Sequence, residues 1–340
     1  MSESNLFEQQ RRNRRRSAVL VALFLLFFAW IGFGGDLGFY LNNAGAEPGT
    51  YRHSIPWFGI VMTGFGIVMV MVAWRRGPKQ VLWATGAWEL LDPSTPQEKQ
   101  LVNVVEEMAI ASGLRRPKIW IVPEKDPNAF ATGIDENDAH VAVTEGLLEA
   151  LNRDQLQGVI AHEMAHIQNY DVKLMTLLAA LVGAIAIMSD GMARMMRFGG
   201  GRRGSGSSGG KKGGNPIALV ILVLWIVSII FAPIISRLLA LAVSRKREFL
   251  ADATAAQFTR NPEALASALR TIEDHHAPTT VIKRGTAHLC IADPLGRRLT
   301  NKQGFVADLL ATHPPMGMRV SRLNAMAFKF KKTGELTGDV

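Results

Sequence analysis

Two long uncharged segments restrict the fold of this chain more than any other feature. Residues 17–35 and 54–74 contain no charged side chain and consist mainly of apolar residues. Each has about twenty residues, the length that an α-helix needs to cross the hydrocarbon core of a bilayer. The first segment is too long for a cleaved signal peptide, and the second follows it closely. The sequence therefore predicts an integral membrane protein with a transmembrane hairpin at residues 17–74, and the alternative is a pair of buried core helices.

Residues 174–189 and 215–236 form a second uncharged pair. The first of them has only about sixteen residues, so that its crossing of the bilayer is less secure than that of the other runs. Between them lies a basic, Gly/Ser-rich stretch, residues 199–214, which is expected to be a flexible loop. Residues 174–243 are predicted to be a second hydrophobic hairpin. It either crosses the membrane with a basic outer loop or pairs without crossing fully.

The distribution of basic residues predicts the orientation of the chain. Residues 1–16 carry a cluster of arginines, and Arg75, Arg76 and Lys79 follow the second run. Cytoplasmic flanks carry an excess of Lys and Arg, so the N-terminus and residues 75–173 are predicted to be cytoplasmic. The basic residues behind the net charge of +9 are interpreted as setting the orientation in the membrane and contacting lipid headgroups, rather than as binding nucleic acid. The single cysteine, Cys290, excludes an internal disulfide and fits a reducing cytosol.

Two stretches are polar enough to fold in water, residues 75–173 and residues 244–340. In the first, capping residues and apolar spacing predict a helix, a small β-sheet, a second short helix and then a longer helix. The predicted elements are a helix at residues 96–112, strands at 118–122, 129–132 and 139–144, and a helix at 146–151. The fold class is thus mainly α: about four hydrophobic helices plus an α+β domain with a small sheet.

The longer helix carries the motif His-Glu-x-x-His at residues 162–166. Positions four apart share one face of a helix, so His162 and His166 can bind one metal ion, and Glu163 can accept a proton from a bound water. Zinc lowers the pKa of such a water towards 7 and polarises a carbonyl. The motif alone arises by chance in roughly 1% of chains of this length. Its helical setting favours the catalytic interpretation over a buried structural histidine pair.

A catalytic zinc needs a third protein ligand and one open position. Glu248 and Asp252 lie four residues apart on a second predicted helix, where Glu248 can bind zinc and Asp252 can accept a hydrogen bond from a zinc histidine. The alternatives are that this is a solvated acidic pair and that the ligand is a histidine elsewhere. The rival histidines are His275, His276, His288 and His313. If Glu248 does meet the motif, both lie on one side of the membrane, and the intervening segment crosses an even number of times.

Proteases with this motif have an edge strand beside the metal, along which an extended substrate can pair. The candidate strand is predicted to bind substrate through its first five residues, and the alternative is an ordinary strand and turn. These five residues are Asn128, Ala129, Phe130, Ala131 and Thr132.

Together these segments resemble the HtpX-type membrane zinc metalloproteases, relatives of the CAAX prenyl proteases. The likeness covers nearly the whole chain and rests on residues 162–166, 248–252, 128–133 and 313–315, with Arg319 downstream. It implies a gluzincin-like endopeptidase in the inner membrane of a bacterium, with its active site in the cytoplasm, one Zn²⁺ per chain and a role in membrane-protein quality control. By this resemblance His162, His166 and Glu248 bind zinc, Glu163 is the general base and acid, and Asp252 supports the histidines. The insert at 199–214 departs from the family pattern.

The resemblance also implies that His313 and Arg319 lie near the zinc. His313 could donate to the oxyanion of the reaction, and Arg319 could hold substrate backbone or an acidic group; a turn with a surface salt bridge is the alternative. The predicted activity is peptide hydrolysis of damaged or misfolded membrane proteins. Two other classes stay open: a non-catalytic zinc-binding membrane scaffold, and a transporter or channel, which charges inside the hydrophobic runs would favour.

Overall fold

The structure is a computed structural model that describes residues 3–43, 54–181, 245–275, 289–292 and 314–337. The chain divides into two compact units. One contains Ala18–Trp74 and Leu181–Leu239, and the other contains Met1–Ser17, Arg75–Ala180 and Ala240–Val340. The helices are α1 Glu3–Asn43, α2 Trp57–Ala84, α3 Pro96–Ser112, α4 Glu145–Ala150, α5 Arg153–Gln168, α6 at residues 171–181, α7 Arg245–Thr259, α8 Pro262–Asp274 and α9 Met316–Thr337.

Among the residues that the structure describes, two helices are long and apolar enough to cross a membrane, and the segments Gln10–Leu41 and Trp57–Ala84 meet that test by length and composition. Both helices are longer than the sequence predicted. The first continues past residue 35 to Asn43, and the second runs ten residues beyond 74 to Ala84. Charged or polar residues therefore mark the end of an apolar run without ending the helix. The run at 215–236 lies outside the described residues, and that at 174–189 is described only to residue 181.

The polar residue that follows the first apolar run caps the second helix. Asp36 is 4% exposed, and its carboxylate accepts hydrogen bonds from the backbone nitrogens of Phe58 (3.3 Å) and Gly59 (2.6 Å). The first N–H groups of a helix lack partners within the helix, and a negative charge is favourable there. A Cβ on Gly32 would lie 2.7 Å from the Gly59 Cα, so α1 and α2 approach closely through small residues.

The β-sheet has four strands in the order β1-β2-β4-β3. The strands are β1 Trp88–Glu89, β2 Lys118–Val122, β3 Ala129–Gly133 and β4 Ala139–Thr144. The predictions of β2 and β4 are confirmed residue for residue, and β3 is one residue longer than predicted. The two-residue β1 was not predicted, because so short a strand leaves no alternating pattern. β2 and β4 are parallel, whereas β3 pairs antiparallel with β4 and lies at one edge of the sheet.

The motif helix α5 is buried at the centre of its unit. Asn152 caps its start through a capping box with Gln155. The helix packs against α3, α7, α8 and β3, and a Cβ on Gly158 would lie 2.9 Å from the backbone of Leu265 in α8. Glycine therefore permits close contact between α5 and α8. Nearly every residue from Leu156 to Ala165 is buried, so the histidines on this helix are held in a rigid setting.

Candidate active site

Three potential metal ligands converge from two helices. α5 supplies His162 and His166, and α7 supplies Glu248, with one donor atom of each lying within 4.8 Å of the others. The two Nε2 atoms are 3.2 Å apart. Glu248 Oε2 lies 3.7 Å from His162 Nε2, and Glu248 Oε1 lies 3.6 Å from His166 Nε2. Within the described residues, this is the group of three that could hold an ion.

These separations fit a zinc ion. Ligand atoms at the usual zinc distances in a tetrahedron are about 3.3 Å from one another. The three donor pairs, at 3.2 to 3.7 Å, lie close to that value without any movement of the backbone. Two imidazoles and one carboxylate are also a donor set that zinc accepts in catalytic sites. Three protein ligands leave the fourth position of a tetrahedron for water or substrate.

Glu163 lies beside this group and is 1% exposed. Its Oε1 atom is buried and forms no hydrogen bond with any described residue. Burial raises the pKa of the Glu163 carboxyl above its ordinary value, although the neighbouring histidines oppose the increase. An unpaired buried oxygen of raised basicity is well suited to accept a proton in this cleft.

His162 is held by a buried pair of opposite charges. Its Nδ1 lies 3.0 Å from Asp252 Oδ1, and Arg319 donates from Nε and Nη2 to the two oxygens of Asp252 at 2.9 and 2.7 Å. All three side chains are at most 3% exposed. Burial opposes protonation of His162, but hydrogen bonds with Asp252 and Glu248 outweigh it and raise the pKa of the imidazole to about 9. Because a carboxylate only accepts, Nδ1 carries a proton and Nε2 faces the metal position.

His166 has a carboxylate partner of its own. Its Nδ1 lies 3.2 Å from Asp171 Oδ2, and Asp171 is 1% exposed. Each histidine of the motif therefore has a separate carboxylate on the nitrogen that faces away from the metal position. Such partners fix the tautomer and the ring orientation of a ligand. The sequence analysis missed Asp171; its position five residues after His166, just beyond the helix end, was the available signal.

A cleft opens beside the ligands, and the edge strand contributes to its wall. Its lining includes Ala131 of β3, Glu163, His166 and Glu248, together with Leu289, Cys290 and Ile291. Ile291 donates its backbone N–H to the oxygen of Ala129 (2.8 Å), and its own oxygen accepts from Arg319 Nη1 (2.9 Å). Residues 289–292 thus cover one end of the edge strand.

The structure brings together most of the residues that the sequence analysis selected. His162, Glu163, His166, Glu248 and Asp252 surround one point, and the strand from Ala129 lies at a sheet edge beside it. Asn128 accepts on its side chain from the Ala129 N–H and donates to the oxygen of Ala292, so it supports the strand. The rival His275 is exposed at the end of α8, and His276, His288 and His313 lie outside the described residues.

The position of Arg319 is that of a residue that supports the metal ligands rather than one that binds substrate. It is fully buried, and it donates to Asp252 and to the backbone of Ile291. Its Nη2 lies 3.3 Å from His162 Nε2. The predicted contact with substrate therefore has no support in this arrangement, because these nitrogens already have partners within the protein.

Residues 95–327 match the sequence model of peptidase family M48. The matched segment is well over half of the chain. The chain belongs to this family and is a membrane metalloprotease. It is 34% identical to a "Protease HtpX homolog" of Lactobacillus helveticus over 322 residues, covering 94% of this chain and 100% of that relative. It is 38% identical to a "Protease HtpX homolog" of Thermoanaerobacter pseudethanolicus over 330 residues, covering 96% and 99%.

Among solved structures, the chain is similar to the crystal structure of Ste24p from S. mikatae. The identity is 16% and the TM-score 0.43, with 90% of this chain and 66% of that chain covered, so the chain spans just under two thirds of that protein. This likeness carries no argument about the site. The family membership rests on the sequence matches.

Proposed function

We propose that this protein is a zinc endopeptidase that hydrolyses peptide bonds of membrane proteins, with Glu163 as its general base. The observation that carries the proposal is the buried, unpaired Oε1 of Glu163 beside three donor atoms at tetrahedral spacing. His162, His166 and Glu248 would hold the ion. An ion bound there supplies a Lewis acid that polarises the scissile carbonyl and activates water.

The residues of the chain supply the proton transfers and the order of the site. Glu163 accepts a proton from the attacking water and delivers it to the leaving amine. Its pKa is raised above that of an exposed glutamate, which makes the carboxylate a stronger base. Asp252 and Asp171 keep the two imidazoles oriented through their Nδ1 atoms. Arg319 neutralises Asp252 and thereby keeps that carboxylate in place.

An extended substrate is proposed to pair with the outer edge of β3. Alternate residues of a strand direct their backbone groups to opposite sides. The outward oxygen of Ala129 already accepts from Ile291, and the outward N–H of Gly133 donates to Thr176 Oγ1 at 3.1 Å. Ala131, between them, lines the cleft and has no such partner among the described residues. Its N–H and C=O are therefore the proposed contact with the substrate backbone.

Replacing Ala131 with proline tests this contact, because proline removes the N–H. One lost hydrogen bond is worth about 0.5–1.5 kcal/mol, so kcat/KM should fall roughly threefold to tenfold through a higher KM. Ala131→Ser is the control, since it keeps the N–H. Equal kcat/KM for the proline variant and the wild type would show that the substrate does not pair with Ala131.

The proposed location is the inner membrane of a bacterium, with α1 and α2 in the bilayer and the site in the cytoplasm. The arginines before the first apolar run support this orientation by the positive-inside rule. The proposed role is removal of damaged membrane proteins under stress. A strain without the gene should accumulate a misfolded membrane reporter, and an unchanged half-life of that reporter would count against the role.

The decisive variant for the proposed activity is Glu163→Gln. The amide keeps the size of the side chain but cannot accept the proton, so cleavage of an unfolded model protein should fall by at least about a hundredfold. Zinc content should stay at one ion per chain, because Glu163 is not a ligand. The matched control is Glu106→Gln on the exposed face of α3, which should cleave at the wild-type rate because Glu106, among the described residues, forms only a surface ion pair with Arg116. Full activity of Glu163→Gln would remove Glu163 from the mechanism.

A further inference from the structure

The start of α1 contacts the end of the motif helix α5. Gln10 Nε2 donates to the backbone oxygen of Gln168 at 2.9 Å, and Asn13 Nδ2 donates to that of Asn169 at 2.9 Å. The last carbonyls of a helix have no partner inside that helix, so these side chains from α1 satisfy them. Residues 1–17 belong to the same compact unit as the site. Besides carrying positive charge, this segment therefore satisfies the backbone at the end of the motif helix.

Asn13 also contacts Asp171, the carboxylate beside the potential metal ligand His166. The same Nδ2 atom donates a second hydrogen bond, of 2.6 Å, to Asp171 Oδ1. Asp171 Oδ2 in turn contacts His166 Nδ1 at 3.2 Å. Between His166 and Asp171 the chain turns at Tyr170, whose φ of 57° is left-handed. Such a backbone costs a bulky residue about 1–2 kcal/mol, so surrounding contacts must hold the turn.

The orientation of the Asp171 carboxylate depends on its hydrogen bond with Asn13. Asp171 is 1% exposed and Asn13 fully buried, so their contact is shielded from bulk water. Arg247 is also close, but its Nη1 lies 3.7 Å from Asp171 Oδ1, beyond hydrogen-bond distance. In the part of the chain that the structure describes, Asp171 accepts side-chain hydrogen bonds from Asn13 and His166. Asn13 thus restricts rotation of the carboxylate on the side opposite the histidine.

We propose that Asn13 is a positioning residue of the metal site, which acts on His166 through Asp171. Its amide fixes one oxygen of Asp171, so that the other oxygen stays aligned with His166 Nδ1 and keeps His166 Nε2 directed at the metal position. The inference rests on the proposed zinc site, since its effect is the orientation of a zinc ligand. It assigns a structural part of the active site to a residue ahead of the first uncharged run, about 150 positions from the motif.

The test is the rate at which purified full-length protein in detergent loses zinc to a chelator. Removal of partners of metal ligands typically costs tenfold to a hundredfold in metal affinity, and Asn13 acts one step further out. Asn13→Ala should therefore lose zinc about threefold to tenfold faster than the wild type. Gln10→Ala is the matched control: it removes a hydrogen bond between the same two helices but does not contact Asp171, and it should lose zinc at the wild-type rate.

A double-mutant cycle separates positioning from helix docking. If Asn13 acts through Asp171, Asn13→Ala should add nothing to the rate of zinc loss in an Asp171→Ala background. Should Asn13→Ala fail to fold, Asn13→Asp keeps the side-chain volume but places a carboxylate against Asp171, and it should lose zinc at least as fast. Additive effects in the cycle, or equal acceleration by Gln10→Ala, would overturn the proposal.

Zinc binding by the wild-type protein separates the role of Asn13 from the existence of the zinc site. Wild-type protein that binds no zinc at this group would overturn the proposed function itself. Wild-type protein that binds zinc, combined with an Asn13→Ala rate equal to the wild-type rate, would overturn the role of Asn13 alone. Cobalt(II) substitution gives a second readout, because a misoriented His166 should shift the ligand-field absorption bands of Asn13→Ala but not of Gln10→Ala.

Discussion

The two halves of the metal site hold their histidines by different means. His162 is fully buried and lies in a network of charges, in which Asp252 is bound at both oxygens by Arg319. His166 is 17% exposed, and its partner Asp171 accepts a hydrogen bond from the neutral amide of Asn13 and forms a looser ion pair with Arg247 at 3.7 Å. Loss of Arg319 removes two hydrogen bonds and the bonded cation from the buried Asp252, whereas loss of Asn13 removes one hydrogen bond and leaves Arg247 beside Asp171. The His162 half should therefore tolerate change less than the His166 half.

The largest effect is expected for Arg319→Met. This change leaves Asp252 buried without its cation, and breaking a buried pair in this way costs about 3–5 kcal/mol. The thermal unfolding midpoint of the purified protein should fall strongly. Arg322→Met on the same helix is the control, because Arg322 is exposed over the Phe249 ring and such a contact is worth only about 0.5–1 kcal/mol. Equal midpoints for both variants would contradict the charge network.

Asp252→Asn and Asp171→Asn compare the halves directly. Each removes the carboxylate that supports one zinc histidine, and each should weaken zinc binding by about tenfold to a hundredfold. The loss should be larger for Asp252→Asn, because Arg319 binds Asp252 through two hydrogen bonds of 2.9 and 2.7 Å, whereas the buried Arg247 lies 3.7 Å from Asp171. Competition with a chelating indicator measures both affinities. A greater loss for Asp171→Asn would reverse the proposed order of the halves.

A smaller and continuous effect is expected from pH. In the metal-free protein the pKa of His162 is raised to about 9, so its imidazole is protonated at neutral pH and must release that proton to bind zinc. The apparent zinc affinity should therefore fall by about tenfold per pH unit as pH decreases below 9. In Asp252→Asn the pKa should drop, and the decline should begin at lower pH. An affinity that does not change between pH 9 and pH 7 would show that this proton is absent.

The sequence was sufficient to select His162, Glu248 and Asp252 as candidates because their signals are local. Glu248 and Asp252 are one helical turn apart on α7, and His162 and His166 repeat the same spacing on α5. The strands were also recognisable from their apolar residues and the turn residues that bound them, and the helix starts from their capping residues. By contrast, Asn13 meets Asp171 across 158 positions, and nothing in either local pattern indicates that contact. Long-range packing also determines that Arg319 binds Asp252, whereas the sequence left open a contact with substrate backbone, a contact with an acidic group and a surface salt bridge.

Anomalous diffraction at the zinc edge, from crystals of the full chain, tests the central claim most directly. The account predicts one zinc peak, at about 2.0–2.1 Å from the Nε2 atoms of His162 and His166 and from an oxygen of Glu248, with the fourth position free of protein. No peak between these side chains, or a fourth protein ligand that closes the site, would contradict a catalytic zinc held between the two supported histidines.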